Sequence, residues 1–121
     1  MSKYVDMFLA SSKAYDDQDY EKMMSFVADD YQFYGMTEEG PKLRANGKEQ
    51  ATAALKMVLE SDAYVKGEVA FLKGFGNIVI ALEKDQFREG NELITRSTLG
   101  VYEYSGDKLA RAYSFSIADD A

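Results

Sequence analysis

The chain reads as an α+β domain in which helices from the first half pack on one mainly antiparallel sheet built largely from the second half. Three observations predict this. Period-2 alternation runs from Glu92 to Tyr104, breaks at Ser105-Gly106-Asp107 and resumes from Lys108 to Ile117, the pattern of a long hairpin. Before residue 60 the apolar positions recur mostly at helical spacing instead. Finally, 121 residues without a single Cys must be held by a core alone, and a chain of that length buries roughly two thirds of its unfolded surface on folding.

Ser2 can cap a first helix whose Val5, Phe8, Leu9, Ser12 and Tyr15 share one stripe, and the acidic run Asp16-Asp17-Gln18-Asp19 ends it. Asp19 then caps a second, short helix over 20–27, with Tyr20, Met23, Met24 and Val27 apolar, giving a helical hairpin. Tyr31-Gln32-Phe33-Tyr34 is aromatic enough for a strand. Residues 35–47 carry Gly40-Pro41 and Asn46-Gly47 and read mostly as loop, with at most a brief strand around Leu43. A third helix runs from Lys48 to about Glu60 on an apolar face of Ala51, Ala54, Leu55, Val58 and Leu59. Strands follow at Tyr64 to Leu72 and Asn77 to Phe87, with Lys73-Gly74-Phe75-Gly76 as the turn between them and Arg88-Glu89-Gly90-Asn91 leading into the final hairpin. No linker or repeat divides the chain, so residues 1–121 are expected to form one domain.

Alternation sorts the last two strands into faces. Ile94, Arg96, Thr98, Gly100, Tyr102 and Tyr104 oppose Leu93, Thr95, Ser97, Leu99 and Val101, while Leu109, Arg111, Tyr113, Phe115 and Ile117 oppose Ala110, Ala112, Ser114 and Ser116. Neither set is uniformly polar, so helices are expected on one side and a second subunit on part of the other.

Composition limits the chemistry. A formal charge of −7, spread along the chain, disfavours nucleic acid and anionic membranes as partners. Charge interrupts the N-terminal apolar pattern too early for a secretory leader, and no apolar run approaches membrane-spanning length, so a cytoplasmic location without membrane contact is expected. With no His and no Cys, zinc and thiol chemistry are not expected, and no cofactor is implied. The carboxylates of 16–19 and of Asp29-Asp30 read as solvated helix and strand termini rather than as a metal site.

Carboxylate catalysis needs an acid shielded from water or set beside a charge partner. Glu68, Glu83, Asp85, Glu92 and Glu103 all read as outer-face or rim residues and none stands out as a base. Arg96 has three readings: facing a ligand, pairing with a protein carboxylate, or exposed at an edge. Tyr15, Tyr31, Phe33, Tyr34, Tyr113 and Phe115 either line a cavity between helices and sheet or simply form the core, and Tyr113 is the preferred pocket hydroxyl.

Over residues 3–117 the chain resembles the nuclear transport factor 2-like superfamily, particularly its SnoaL-like and ketosteroid-isomerase-like members. The resemblance is carried by Phe26-Val27-Ala28-Asp29-Asp30 before the first strand, Asn46-Gly47-Lys48-Glu49 before the third helix, and Val101-Tyr102-Glu103-Tyr104 with Gly106-Asp107-Lys108-Leu109 across the final hairpin. It implies a cystatin-like cone, a strongly curved sheet wrapped around three helices and enclosing an apolar pocket, and a homodimer formed through the outer face. It also implies acidic positions that this chain lacks. A steroid-isomerase base is expected where Phe33-Tyr34-Gly35-Met36 stands, an epoxide-hydrolase Arg-x-Asp pair where Arg96-Ser97-Thr98 stands, and a terminal Tyr-x-Asp where Phe115-Ser116-Ile117 stands.

The resulting expectation is a pocket for a small, largely apolar or aromatic molecule, with Arg96 meeting an anionic or carbonyl oxygen, Tyr34 or Tyr113 giving a hydroxyl, and Phe33, Phe115 and Tyr15 forming wall. Two alternatives remain open: an isomerase or cyclase acting on a carbonyl compound with a base such as Glu38 or Asp85, and a dimeric interaction module without catalysis.

Overall fold

In the computed structural model, which describes residues 2–117, three helices cover one face of a single six-stranded sheet. Helix α1 (Lys3–Asp16) starts at Ser2, whose Oγ accepts from the Tyr4 and Val5 amides, and an exposed Lys3–Asp107 ion pair of 2.7 Å ties its first turn to the last hairpin. Asp19 caps α2 (Tyr20–Met24) by accepting from the Lys22 amide at 3.1 Å, while Asp17 pairs with Lys13, so the acidic run serves helix ends. Strand β1 (Val27–Thr37) follows directly. The second helix is shorter than its apolar stripe suggests because Val27 belongs to β1, where it is buried beside Tyr31 and Met24.

Strand β2 (Gly40–Asn46) occupies the segment that reads as loop. Its pairing with β1 does not depend on its side chains, most of which are exposed, so alternation leaves little trace there. Helix α3 (Lys48–Leu59) has no side-chain cap at Gly47; instead Gln50 accepts from the Asn46 amide at 2.8 Å. Strands β3 (Tyr64–Phe75), β4 (Ile78–Glu89), β5 (Glu92–Ser105) and β6 (Lys108–Ile117) then form a meander. Its three turns, Gly76-Asn77, Gly90-Asn91 and Gly106-Asp107, each put Gly first at φ of 60–65°, the conformation a two-residue hairpin demands of that position. Gly74 and Phe75 therefore lie in β3, not in the turn.

The strand order is β2-β1-β6-β5-β4-β3, with β1 and β6 parallel and the other neighbours antiparallel, so the sheet is mixed. It is also open. The edges β2 and β3 do not pair with each other, and the sheet is not strongly curled, which corrects the expected cone. One long stretch resists bending. Strong bending needs bulges, and β4 and β5 pair in unbroken register from Ile78↔Glu103 to Glu89↔Glu92; the register irregularities fall elsewhere, in β1, β2, β3 and β6.

Two buried clusters hold the layers together. Phe8 of α1 packs on Val79, Ala81 and Tyr104, and Met24 packs with Val27, Tyr31 and Ala112; Tyr102 and Leu109 touch both clusters. Among the described residues no helix is long and apolar enough to cross a membrane.

Candidate functional site

The C-terminal half of α1 stands off the sheet and leaves a cavity of about 320 Å³, partly open to solvent. On the helix side its wall is Ser11, Ser12 and Tyr15, one and two turns beyond the close-packed Phe8. On the sheet side the inward positions of β4 and β5 supply Glu83, Asp85, Thr98, Gly100 and Tyr102. An adjoining hollow of about 350 Å³, bordered by Leu59, Tyr64 and Lys66, shares Tyr15, Asp16 and Gly67 with it.

Glycine makes room for the polar floor. A Cβ at Gly100 would lie 2.6 Å from the Tyr102 ring and 2.8 Å from Glu83 Oε2, and one at Gly67 would collide with Asp85 Oδ1 and approach the Tyr64 hydroxyl at 3.0 Å. Each carboxylate is therefore laid across a glycine of the neighbouring strand.

The Tyr102 hydroxyl donates to Glu83 Oε2 at 2.5 Å, and its ring lies 4.9 Å from Phe8. Burial raises the Glu83 carboxyl above the ordinary carboxylate value; the Tyr102 hydrogen bond opposes that rise and the nearby Asp85 charge adds to it. Burial raises Asp85 as well. Tyr15, edge-on to Tyr64 at 6.1 Å, is also pushed up, by burial first and then by its hydrogen bond to Tyr64. The floor thus presents two carboxyl groups whose charged forms are disfavoured, beside hydroxyls that stay protonated. Among the described residues no His, Cys, Asp or Glu cluster suits a metal ion.

Of the six residues singled out by sequence, Tyr15 and Phe33 meet at this cavity. Tyr113 borders it, but its pairing places it opposite Val101 and beside Tyr34, on the face away from the helices. There the Tyr34 and Tyr113 rings stack at 5.4 Å, and the Tyr34 hydroxyl donates to Gln32 at 2.8 Å. Phe115 shares that face, opposite Leu99. The phase changes at Ala110. Tyr104 pairs with Leu109 and Glu103 with Arg111, so β6 carries one extra residue, and the side chains after it exchange faces relative to a continuous alternation. Arg96 is exposed with its guanidinium 5.1 Å from the Phe87 ring; it is outside the cavity wall and makes no ion pair to a described residue, although Asp85 is its cross-strand partner.

Sequence reasoning missed Glu83, Asp85 and Tyr102 as a group. The series Val79, Ala81, Glu83, Asp85 looks less like a core face than its alternate, Ile78, Ile80 and Leu82, and the bulkier set lies on the other side. A usable signal was present: Gly100 and Gly67 each lie one strand over from an acidic residue.

No protein-family profile and no characterised protein matches the sequence. Solved structures do. An uncharacterised cystatin-fold protein from Novosphingobium aromaticivorans superposes with a TM-score of 0.76 at 21% identity, over 94% of this chain and 98% of that one. A SnoaL-like polyketide cyclase, so described putatively, from Shewanella denitrificans gives 0.75 at 14% over 97% and 92%. An epoxide hydrolase of the LEH-like type from M. tuberculosis gives 0.75 at 13% over 94% and 82%. The chain therefore has the fold shared by nuclear transport factor 2-like, SnoaL-like and cystatin-fold structures.

Proposed function

We propose that the protein binds a small, largely apolar or aromatic molecule in the cavity beneath the second half of α1. The supporting observation is a partly open, mostly apolar space with several aromatic walls, on whose floor Glu83, Asp85 and Tyr102 stand together, the usual construction of a small-molecule site. Structural neighbours that include an epoxide hydrolase and a protein described putatively as a polyketide cyclase agree with a fold that hosts such sites, without fixing the chemistry.

The sheet face away from the helices joins Ile80, Leu82, Leu99, Val101 and Phe115 to the Tyr34–Tyr113 stack. It is the surface we assign to a second copy of the chain, as a homodimer that leaves the cavity free.

A second reading has one observation in its favour. Asp85 lies at the cavity with its pKa raised by burial, which is how a general base is brought toward operating pH, so proton abstraction from a carbonyl compound by an isomerase or cyclase is chemically accessible.

Tryptophol, an uncharged aromatic alcohol, provides the test. Titrated into isotopically labelled protein, it should move the amide resonances of Gly67, Thr98 and Gly100, and Ser12→Phe should abolish those shifts by filling the space. Still resonances in the unmodified protein, or equal shifts in the variant, would overturn the binding role. Native mass spectrometry of the same sample gives the subunit number, and a monomer at micromolar concentration would remove the homodimer.

A further inference from the structure

The charged groups around the cavity are all of one sign. Asp16 and Glu68 lie exposed at its rim, and Glu83 and Asp85 lie half-buried on its floor. Among the described residues, no Lys or Arg borders it; Lys66 touches only the adjoining hollow and Arg96 sits against Phe87 outside. The remaining wall is rich in aromatic rings, with Phe8, Tyr15, Phe33, Tyr102 and Tyr104 all contributing.

This combination discriminates between ligands. A carboxylate or phosphate entering the cavity would meet four acidic groups and no counter-ion, and its desolvation would go uncompensated. A neutral alcohol or ketone would leave the floor carboxylates as they are. An ammonium group would supply the missing counter-charge, with charge-assisted hydrogen bonds to the carboxylates and attraction to surrounding ring faces. The rim acids and the overall charge of −7 favour the approach of a cation as well.

Resting on the reading of this cavity as a ligand site, we propose that its ligand is a protonated amine on a compact apolar or aromatic body, with the ammonium received by Asp85 and Glu83. Tyr102 acts as a positioning residue: its hydroxyl occupies one face of Glu83 and leaves the other carboxylate oxygen for the ligand. Asp85 has no such partner among the described hydrogen bonds and is the more available acceptor.

Tryptamine, tryptophol and indole-3-acetate carry one aromatic body and differ in the charge of the head group. Their dissociation constants, read from the cavity amide shifts at neutral pH and about 0.15 M salt, where long-range attraction is largely screened, should rank tryptamine tightest and indole-3-acetate weakest. Tryptamine is expected to bind about tenfold or more tightly than tryptophol, the worth of one hydrogen-bonded charge. In Asp85→Asn combined with Glu83→Gln the two affinities should become equal, while retained tryptophol binding shows that the variant is folded. Equal affinities in the unmodified protein, a preference that survives the double substitution, or tightest binding of indole-3-acetate would each overturn the proposal. Tryptophol binding without an amine preference defeats the amine alone; failure of all three ligands at the cavity defeats the binding role with it.

Discussion

The two ends of the β4–β5 pair lie under the same helix and are built in opposite ways. At one end Val79 and Ala81 are 0% exposed beneath Phe8, with Tyr104 2% exposed beside them. Two and four residues farther along the same face of β4 stand Glu83 and Asp85, and above them α1 offers Ser11 and Ser12 where its first half offers Val5 and Phe8. The register between β4 and β5 is continuous through the change, while on the other side of β4 strand β3 carries one extra residue, Ala70, opposite the Leu82–Glu83 step. The cavity is made by subtraction: two serines on the helix and two glycines on the sheet leave a volume that larger side chains fill at the sealed end. Packing at one end secures the helix, and small side chains leave the gap at the other.

The largest effect should come from breaking the sealed end. Phe8→Ala removes the aromatic anchor of the buried cluster, and a phenylalanine truncation in a packed core costs about 3–5 kcal/mol. Ser12→Ala, one turn away on the cavity side, should change stability by less than about 0.5 kcal/mol. Urea denaturation of both variants measures the contrast; a Phe8→Ala cost below about 1 kcal/mol would mean that α1 is held elsewhere.

Gly100→Ala acts at the boundary between the two ends. Its backbone is ordinary extended strand, so the penalty is steric: the new Cβ would press on the Tyr102 ring at 2.6 Å and on Glu83 Oε2 at 2.8 Å. Phe8 lies against that ring and limits its retreat. A destabilisation of about 1–3 kcal/mol is expected, the range for overpacking, together with loss of ligand-induced shifts on the cavity floor. Gly67→Ala should cost less, because Asp85 can swing into open space. Thermal melts of the pair, with equal losses for both glycines, would argue against a packed Tyr102 beside a free Asp85.

How much of this is visible in the sequence depends on where alternation stays in phase. The final hairpin, the glycine-led turns at Gly90-Asn91 and Gly106-Asp107 and the amphipathic α1 and α3 follow from local patterning, and the structure contains them. Strand β2 was hidden because exposed edge residues such as Pro41, Lys42 and Arg44 need no apolar period. The extra residue at Ala110 was invisible for a different reason: Leu109, Arg111, Tyr113 and Phe115 alternate flawlessly in sequence, while a bulge turns the first of them toward the helices and the others away. The same single residue explains why Tyr113 and Phe115 face away from the helices, while Tyr34 does so simply by alternating with inward Phe33. Glu83 and Asp85 read as outer-face or rim acids, Asp85 serving only as a candidate base of the enzyme alternative, and the structure turns both inward to the cavity; a buried acid without a cationic partner contradicts the usual expectation for a core position, and departures from such rules tend to fall at functional sites.

The smallest predicted effect bears most directly on that departure. A carboxyl whose pKa is raised by folding takes up its proton more readily in the native state, so the stability it contributes is complete below its unfolded pKa and is lost as pH climbs through its raised folded value. Glu83 should therefore make the protein less stable at pH 7 than an uncharged isostere would. Glu83→Gln retains an oxygen to accept from Tyr102 and removes the charge, and it is expected to gain on the order of 1 kcal/mol at pH 7, a gain that shrinks as pH falls and the raised Glu83 carboxyl takes up its proton. Comparing the two proteins at each pH cancels the titration of groups that do not interact with Glu83, leaving Glu83 and its neighbour Asp85. Val79 and Ala81, which never titrate, have no counterpart to this curve. If the gap between variant and parent stays constant from pH 4 to pH 7, or opens in the parent's favour, then Glu83 is neutralised within the protein, and the open end is not the under-compensated acidic floor that distinguishes it from the sealed one.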